Sequence, residues 1–172
     1  MLQGRTSLEV SRTEIGARRV AELLWRLHYG IAAGSPKRVR IYRIADHRHP
    51  IWDGTGTAVL GGRRNNVGRP LIDASASYAR AMLEVLAHAG AEQLPRAHRD
   101  AAVDVPESVA IERRAAEAVP AGWDLEDGAA ARIFGARWLE EGRTALLIVP
   151  SVVARIEWNA LINPRHPDAT QL

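Results

Sequence analysis

Residues 41–90 read IYRIADHRHPIWDGTGTAVLGGRRNNVGRPLIDASASYARAMLEVLAHAG. The stretch passes from an arginine on an expected strand, Arg43, through a loop dense in glycine and arginine at 61–69. It ends on a helix with one mid-helix acid, Glu84. Residues 37–44, KRVRIYRI, alternate basic and apolar residues with the period of two that a strand requires. Val39, Ile41 and Arg43 share one face, and Arg38, Tyr42 and Ile44 the other. Residues 45–70 carry the glycines and polar turn formers of a long loop with room for a short hairpin. Residues 71–75 fit a short strand. Ser75 or Ser77 then caps a helix over 78–89 that buries Tyr78, Met82, Val85, Leu86 and Ala89.

Working outward, Ser11-Arg-Thr-Glu14 has the form of a capping box, and apolar residues at helical spacing predict an amphipathic helix over 13–28. Tyr29-Gly30 ends it and 32–36 reads as a linker. Downstream, 101–105 is an expected strand closed by Pro106, and 107–118 is helical or irregular. Residues 129–141 fit a helix, 145–149 a buried strand, 152–158 a further strand and 163–168 a terminal loop.

A chain of 172 residues predicts one domain with room for a short appendage. Cysteine is absent. That excludes a disulfide scaffold, a thiolate zinc site and a cysteine nucleophile, and fits the reducing cytoplasm. The first ten residues, MLQGRTSLEV, lack the apolar core of a secretory signal, and no apolar run approaches the ~20 residues of a membrane span. The net charge is +3, carried by arginine, with Lys37 the only lysine. Most arginines alternate with acids, unlike the basic stripe of a nucleic-acid binder. The group around Arg43, Arg63, Arg64 and Arg69 suits a phosphorylated small molecule instead, because guanidinium forks match phosphate oxygens in pairs.

Several fragments, taken in order, resemble the RES-domain family, the toxin half of bacterial Xre–RES toxin–antitoxin pairs. They are Tyr42-Arg43-Ile44, Gly61-Gly62-Arg63-Arg64-Asn65 with Gly68, Ser75, Glu84, Gly135-Ala-Arg-Trp138-Leu139, Val149-Pro150-Ser151 and Asn159-Ala-Leu-Ile-Asn163-Pro164 with His166-Pro167. They cover roughly residues 37–170. The resemblance implies an α+β fold, a compact ADP-ribosyltransferase-like mixed sheet with flanking helices, to which the N-terminal amphipathic helix is added. It implies an enzyme that consumes NAD by breaking the nicotinamide–ribose bond, with water, phosphate or a protein as acceptor. It also implies an Xre-family antitoxin as partner, a homo-oligomeric state, and contact with nucleic acid only through that antitoxin. Residues 1–34, with Gly4-Arg-Thr-Ser-Leu8, Gly16-Ala17 and Tyr29-Gly30-Ile31, resemble the toxin-binding tail of such an antitoxin. The expected division is therefore 1–34 antitoxin-like and 35–172 RES-like, with the first part acting in cis or in trans.

The family's Arg, Glu and Ser fall on Arg43, Glu84 and Ser151. The resemblance implies that Arg43 anchors phosphate, that Glu84 lies near the ribose, and that the Ser151 hydroxyl bonds ribose or phosphate; no histidine is placed to make Ser151 a nucleophile. Gly62, Arg63 and Asn65 would let backbone approach the dinucleotide, Tyr42 would stack on it or enter the core, and Asp73 and Asn163 complete the expected binding set. Plainer readings stand beside these: a surface strand arginine, an exposed Arg80–Glu84 pair at i,i+4 and a turn-forming serine. His47 and His49 have no third ligand at a recognisable spacing, so no metal is expected.

Two residues depart from the family pattern. Arg64 stands where an aromatic is usual, and Asp73 where a tyrosine is usual. A carboxylate ~5 Å from a pyrophosphate repels it by roughly 3 kcal/mol at an effective dielectric of ~20, unless Arg64 pairs with Asp73. The alternative function is thus a catalytically impaired RES-like protein that only binds an antitoxin.

Overall fold

A computed structural model describes residues 39–89 and 97–172, which belong to one compact unit, Val39–Leu172. The helix expected over 13–28 and the antitoxin-like segment 1–34 lie outside the described residues. In chain order the elements are β1 (Arg40–Asp46), α1 (Thr55–Leu60), β2 (Ile72–Ser75), α2 (Tyr78–Ala89), β3 (His98–Asp104), β4 (Ile111–Arg113), α3 (Ala129–Glu141), β5 (Leu146–Pro150) and β6 (Trp158–Ile162), with 3-10 turns at Ala116–Ala118 and Pro167–Gln171.

The strands form one mixed sheet in the order β3-β1-β2-β6-β5-β4, antiparallel except for β4 beside β5. β5 is buried at every position and β6 at all but its first, as strands covered on both faces are. Trp138 and Leu139 of α3 pack with Leu71, Leu147, Val149 and Leu161 to make the core over that part of the sheet. α2 packs against β1 and β2. The α+β class, the mixed sheet and its flanking helices agree with the expectation.

Local details differ. The expected loop at 45–70 contains α1 rather than a hairpin. The segment 107–118 contains a three-residue strand, β4, which exists because it pairs with β5 (Ile111 opposite Leu146) and not because of any local pattern. Residues 152–157 are not a strand. Pro150 closes β5, and the chain turns back through hydrogen bonds from Ala154 N to Ser151 Oγ (2.9 Å) and from Glu157 N to Ala154 O (2.8 Å). Trp158 then opens β6 opposite Pro150. On α2 the cap is Ser77, whose Oγ accepts from the Arg80 amide at 3.2 Å. Among its described side chains the buried positions are Arg80 and Ala81, whereas Tyr78 is 45% exposed; the side chain of Ala89 lies outside those described.

α3 begins after Gly128 and stops at Gly142, both in the left-handed region where a side chain is strained (φ 63° and 57°). Inside it, Gly135 meets the loop after α1 backbone to backbone. A Cβ built there would lie 2.0 Å from the Arg64 carbonyl oxygen. That contact presses the arginine-bearing loop toward the sheet.

Gly135→Ala must therefore push α3 and the loop apart. We expect a loss of about 1–3 kcal/mol, of the order found for overpacked cores, read as a lower urea midpoint. An unchanged midpoint would show that the loop yields freely. Glu112 on β4 offers a second test. Burial opposes its ionisation, but hydrogen bonds from Arg143 and Arg114 outweigh this and hold the carboxyl below its ordinary 4.5. A depressed folded value stabilises above the unfolded one and is lost as pH falls through the folded value. Glu112→Gln should lower stability by about 1 kcal/mol at pH 7, with the gap from the unsubstituted protein closing below about pH 4.

Candidate functional site

A cavity of about 700 Å³ opens where β1, β2 and β6 meet α2 and the 61–64 loop. Of the nine residues singled out by sequence, five line it: Arg43, Gly62, Arg63, Asp73 and Glu84. Arg43 and Glu84 therefore do share one cavity. Ser151, Tyr42, Asn65 and Asn163 do not line it, and each has a physical reason to be elsewhere.

Arg43 projects from the middle of β1 and is held by backbone oxygens. Its Nε donates to Ile51 O at 2.5 Å, its Nη2 to Asp53 O at 3.3 Å and its Nη1 to Asp73 O. Burial pushes its pKa down, while the nearby Asp73 and Asp53 pull it up. The guanidinium thus ties β1 to the loop before α1 and to β2, and two of its five N–H donors remain for a ligand.

Glu84 is 28% exposed on its side chain and forms an ion pair with Arg80 one helical turn earlier. It also accepts from Asn159 Nδ2 at 3.4 Å. The pair is no exposed surface contact, because the Arg80 side chain is fully buried. Arg80 Nε donates to Ser151 Oγ at 2.7 Å, and its Nη1 has no partner among the described residues. Ser151 is itself fully buried, so its hydroxyl faces Arg80 rather than the cavity. The result is a chain Ser151–Arg80–Glu84–Asn159 that fixes the one carboxylate of α2 from behind.

Arg63 and Arg64 follow the Gly61-Gly62 turn. Arg63 is drawn to the loop before α3, donating to Leu125 O (2.7 Å) and Glu126 O (3.3 Å). Arg64 is nearly buried, with its Nη1 3.8 Å from Asp73 Oδ1 and its Nη2 3.5 Å from Pro150 O. Burial pushes its pKa down, and the neighbouring Asp73 and Glu84 oppose that. The Arg64–Asp73 pair anticipated from the sequence is thus present. Asn65 organises the loop instead of meeting a ligand: its Nδ2 donates to Thr57 O and Arg69 O, both at 2.7 Å. Gly62 lets this amide fit, since a Cβ there would lie 2.8 Å from Asn65 Oδ1.

Tyr42, next to Arg43 on the strand, falls on the other face by the alternation of a β-strand. Its ring meets Tyr78 edge to face at 6.3 Å. Asn163 stands past the far end of β6, where its Oδ1 accepts from Arg165 N at 3.1 Å. Asn159, four residues and roughly 13 Å earlier along the strand, is the asparagine that lines the cavity. Sequence reasoning gave no site role to Asn159, Arg80 or His98. Asn159 opens one of the family-like fragments and Arg80 was met only as the i,i+4 partner of Glu84; His98 had no local signal. Among the described residues no group of three or more His, Asp or Glu could hold a metal ion.

Because Ser151 and Arg80 share a buried hydrogen bond, Ser151→Ala and Arg80→Met should not be additive. We expect Ser151→Ala alone to cost about 1–3 kcal/mol by orphaning a buried donor. It should cost at least about 1 kcal/mol less once Arg80 is Met. Additive urea midpoints would show that the two side chains do not interact.

Residues 40–172 match the RES domain family. The "Prs ADP-ribosylating toxin" of Sphingobium sp. (strain YBL2) is 41% identical over 119 residues, covering 67% of this chain and 74% of that protein. "Toxin Res" of Photorhabdus laumondii is 30% identical over 131 residues, covering 74% and 83%. Among solved structures, the M. tuberculosis MbcT–MbcA toxin–antitoxin complex contains a chain that superposes with a TM-score of 0.61 at 21% identity, over 73% of each chain. That likeness concerns the fold. The family match over most of the length, together with relatives of this identity and coverage, makes the chain a member of the RES domain family.

Proposed function

We propose that this chain is the toxin of a toxin–antitoxin pair and consumes NAD by cleaving its nicotinamide–ribose bond. The observation that carries the reading is one cavity of about 700 Å³ holding Arg43 and Glu84 together, within the range of small-molecule and cofactor sites. A relative named as an ADP-ribosylating toxin supports NAD as the substrate.

The chemistry asks for three things. The pyrophosphate must be held, the reacting ribose must be oriented, and negative charge must stand near the oxocarbenium-like centre as the bond to nicotinamide breaks. Arg43 suits the first task, since its guanidinium is already rigid and keeps free donors. Glu84 suits the other two. Its carboxylate accepts from ribose hydroxyls and stabilises developing positive charge, and Arg80 and Asn159 hold it in one orientation, which spares reorganisation in the transition state. Ser151 acts through Arg80 as a positioning residue. The electron pair of the breaking bond leaves with nicotinamide, and water, phosphate or a protein side chain attacks the cation. An antitoxin of the Xre family is the proposed partner, and residues 1–34, which resemble its tail, are proposed to restrain the cavity in cis or in trans.

The test is release of nicotinamide from NAD by the full chain and by a chain lacking residues 1–34. We expect release by the shortened chain at least, and Glu84→Gln should reduce it about a hundredfold, the scale of losing one transition-state stabilising group. Because Arg80 loses its counter-ion, the melting temperature should also fall, so release is compared at a temperature where both proteins are folded. Loss of NAD with neither chain, beside retained antitoxin binding, would select a RES-like protein that only binds.

A further inference from the structure

The Arg64–Asp73 pair is the part of the cavity that the proposed cleavage does not use. Asp73 sits on β2 with its side chain 50% exposed, while the Arg64 side chain beneath it is only 10% exposed. Both line the same cavity as Arg43 and Glu84. Arg64 cannot easily withdraw. Its backbone is pressed against Gly135, where no Cβ has room, and its Nη1 lies 3.8 Å from Asp73 Oδ1. Its only side-chain hydrogen bond among the described residues is the 3.5 Å contact from Nη2 to Pro150 O. The cavity therefore presents a carboxylate with a nearly buried guanidinium directly behind it.

We propose that this pair sets which dinucleotide enters: Asp73 accepts hydrogen bonds from an unphosphorylated ribose diol and turns away a 2′-phosphorylated one. The proposal rests on the dinucleotide reading above and deepens it. An ionised carboxylate is an acceptor only, so it matches the two hydroxyl donors of a ribose. A 2′-phosphate removes one of those donors and brings about −1.5 to −2 charge beside the carboxylate. At ~5 Å and an effective dielectric of ~20, one unit-charge repulsion alone amounts to about a hundredfold in affinity; the Arg64 guanidinium, 3.8 Å from Asp73 Oδ1, offsets part of it and leaves about tenfold. Dinucleotide sites of other folds divide the same way, with an acid on the ribose 2′-hydroxyl for NAD and an arginine for the 2′-phosphate of NADP. This cavity holds both groups, and Asp73, being the more exposed, is the one a ligand meets. Removing its charge leaves Arg64 facing the cavity as a guanidinium fork suited to phosphate oxygens.

The experiment is calorimetric titration of the full chain with NAD and with NADP. The unsubstituted chain should bind NAD more tightly by about tenfold. Asp73→Asn should abolish that preference or reverse it in favour of NADP, and adding Arg64→Met should weaken NADP again. Equal affinities in the unsubstituted chain, or an Asp73→Asn ratio equal to its ratio, would overturn the assignment while leaving NAD as the ligand. Binding of neither dinucleotide by the unsubstituted full chain or by the chain lacking residues 1–34 would reject the dinucleotide reading and this inference with it. The unsubstituted ratio needs no variant, so a misfolded variant does not leave the question open.

Discussion

A buried guanidinium organises the site. Arg80 lies within the protein where α2, the β5–β6 turn and the cavity converge, and it binds a serine hydroxyl on one side and a carboxylate on the other. A cation taken out of water is tolerated only when its donors meet acceptors of suitable charge. Arg80 has a hydroxyl and a carboxylate, and one nitrogen goes without. That requirement links Ser151, buried behind β5, to Glu84 at the cavity wall, though the two lie 67 residues apart in sequence. Move either and the arginine loses a partner it cannot replace with water.

The same logic recurs around the cavity. Arg43 is satisfied by three backbone carbonyls, Arg63 by two and Arg64 by a carboxylate and a carbonyl. Three guanidinia and two carboxylates line the space, so the lining charges leave an excess of one positive. The loop carrying two of the arginines is not pliable. Asn65 ties its ends together, Gly62 makes room for that amide, and Gly135 allows α3 to press on its backbone. Side chains whose own rotamers are locked make an oriented rather than an adaptable site.

The pattern of residues made some of this legible. The strand with Arg43, the helix with Glu84 and the buried apolar strand near 146–150 were each readable from their period. Other features were not. The mixed i,i+3 and i,i+4 apolar positions of α2 pointed to Tyr78, Met82 and Leu86 as its inner face, yet Arg80 and Ala81 are the residues most buried. β4 is too short for any pattern and forms only because β5 offers it an edge. Asn163 and Asn159 share a sequence fragment, and only the direction and end of β6 decide which of them reaches the cavity.

The ordered motifs by themselves determined the family, and through that resemblance the expected α+β class; composition and periodicity determined where strands and helices could form and which residue types were available for phosphate and ribose. Those properties are local, written in spacing and chemistry along the chain. Which side chains meet a ligand and which brace the others was decided only by the tertiary structure. Burial and hydrogen-bond satisfaction depend on what arrives from distant segments: Ser151 was turned inward by Arg80, Asn65 was taken up by its own loop, and Asp73 found its counter-ion in Arg64 across the gap between β2 and the glycine turn.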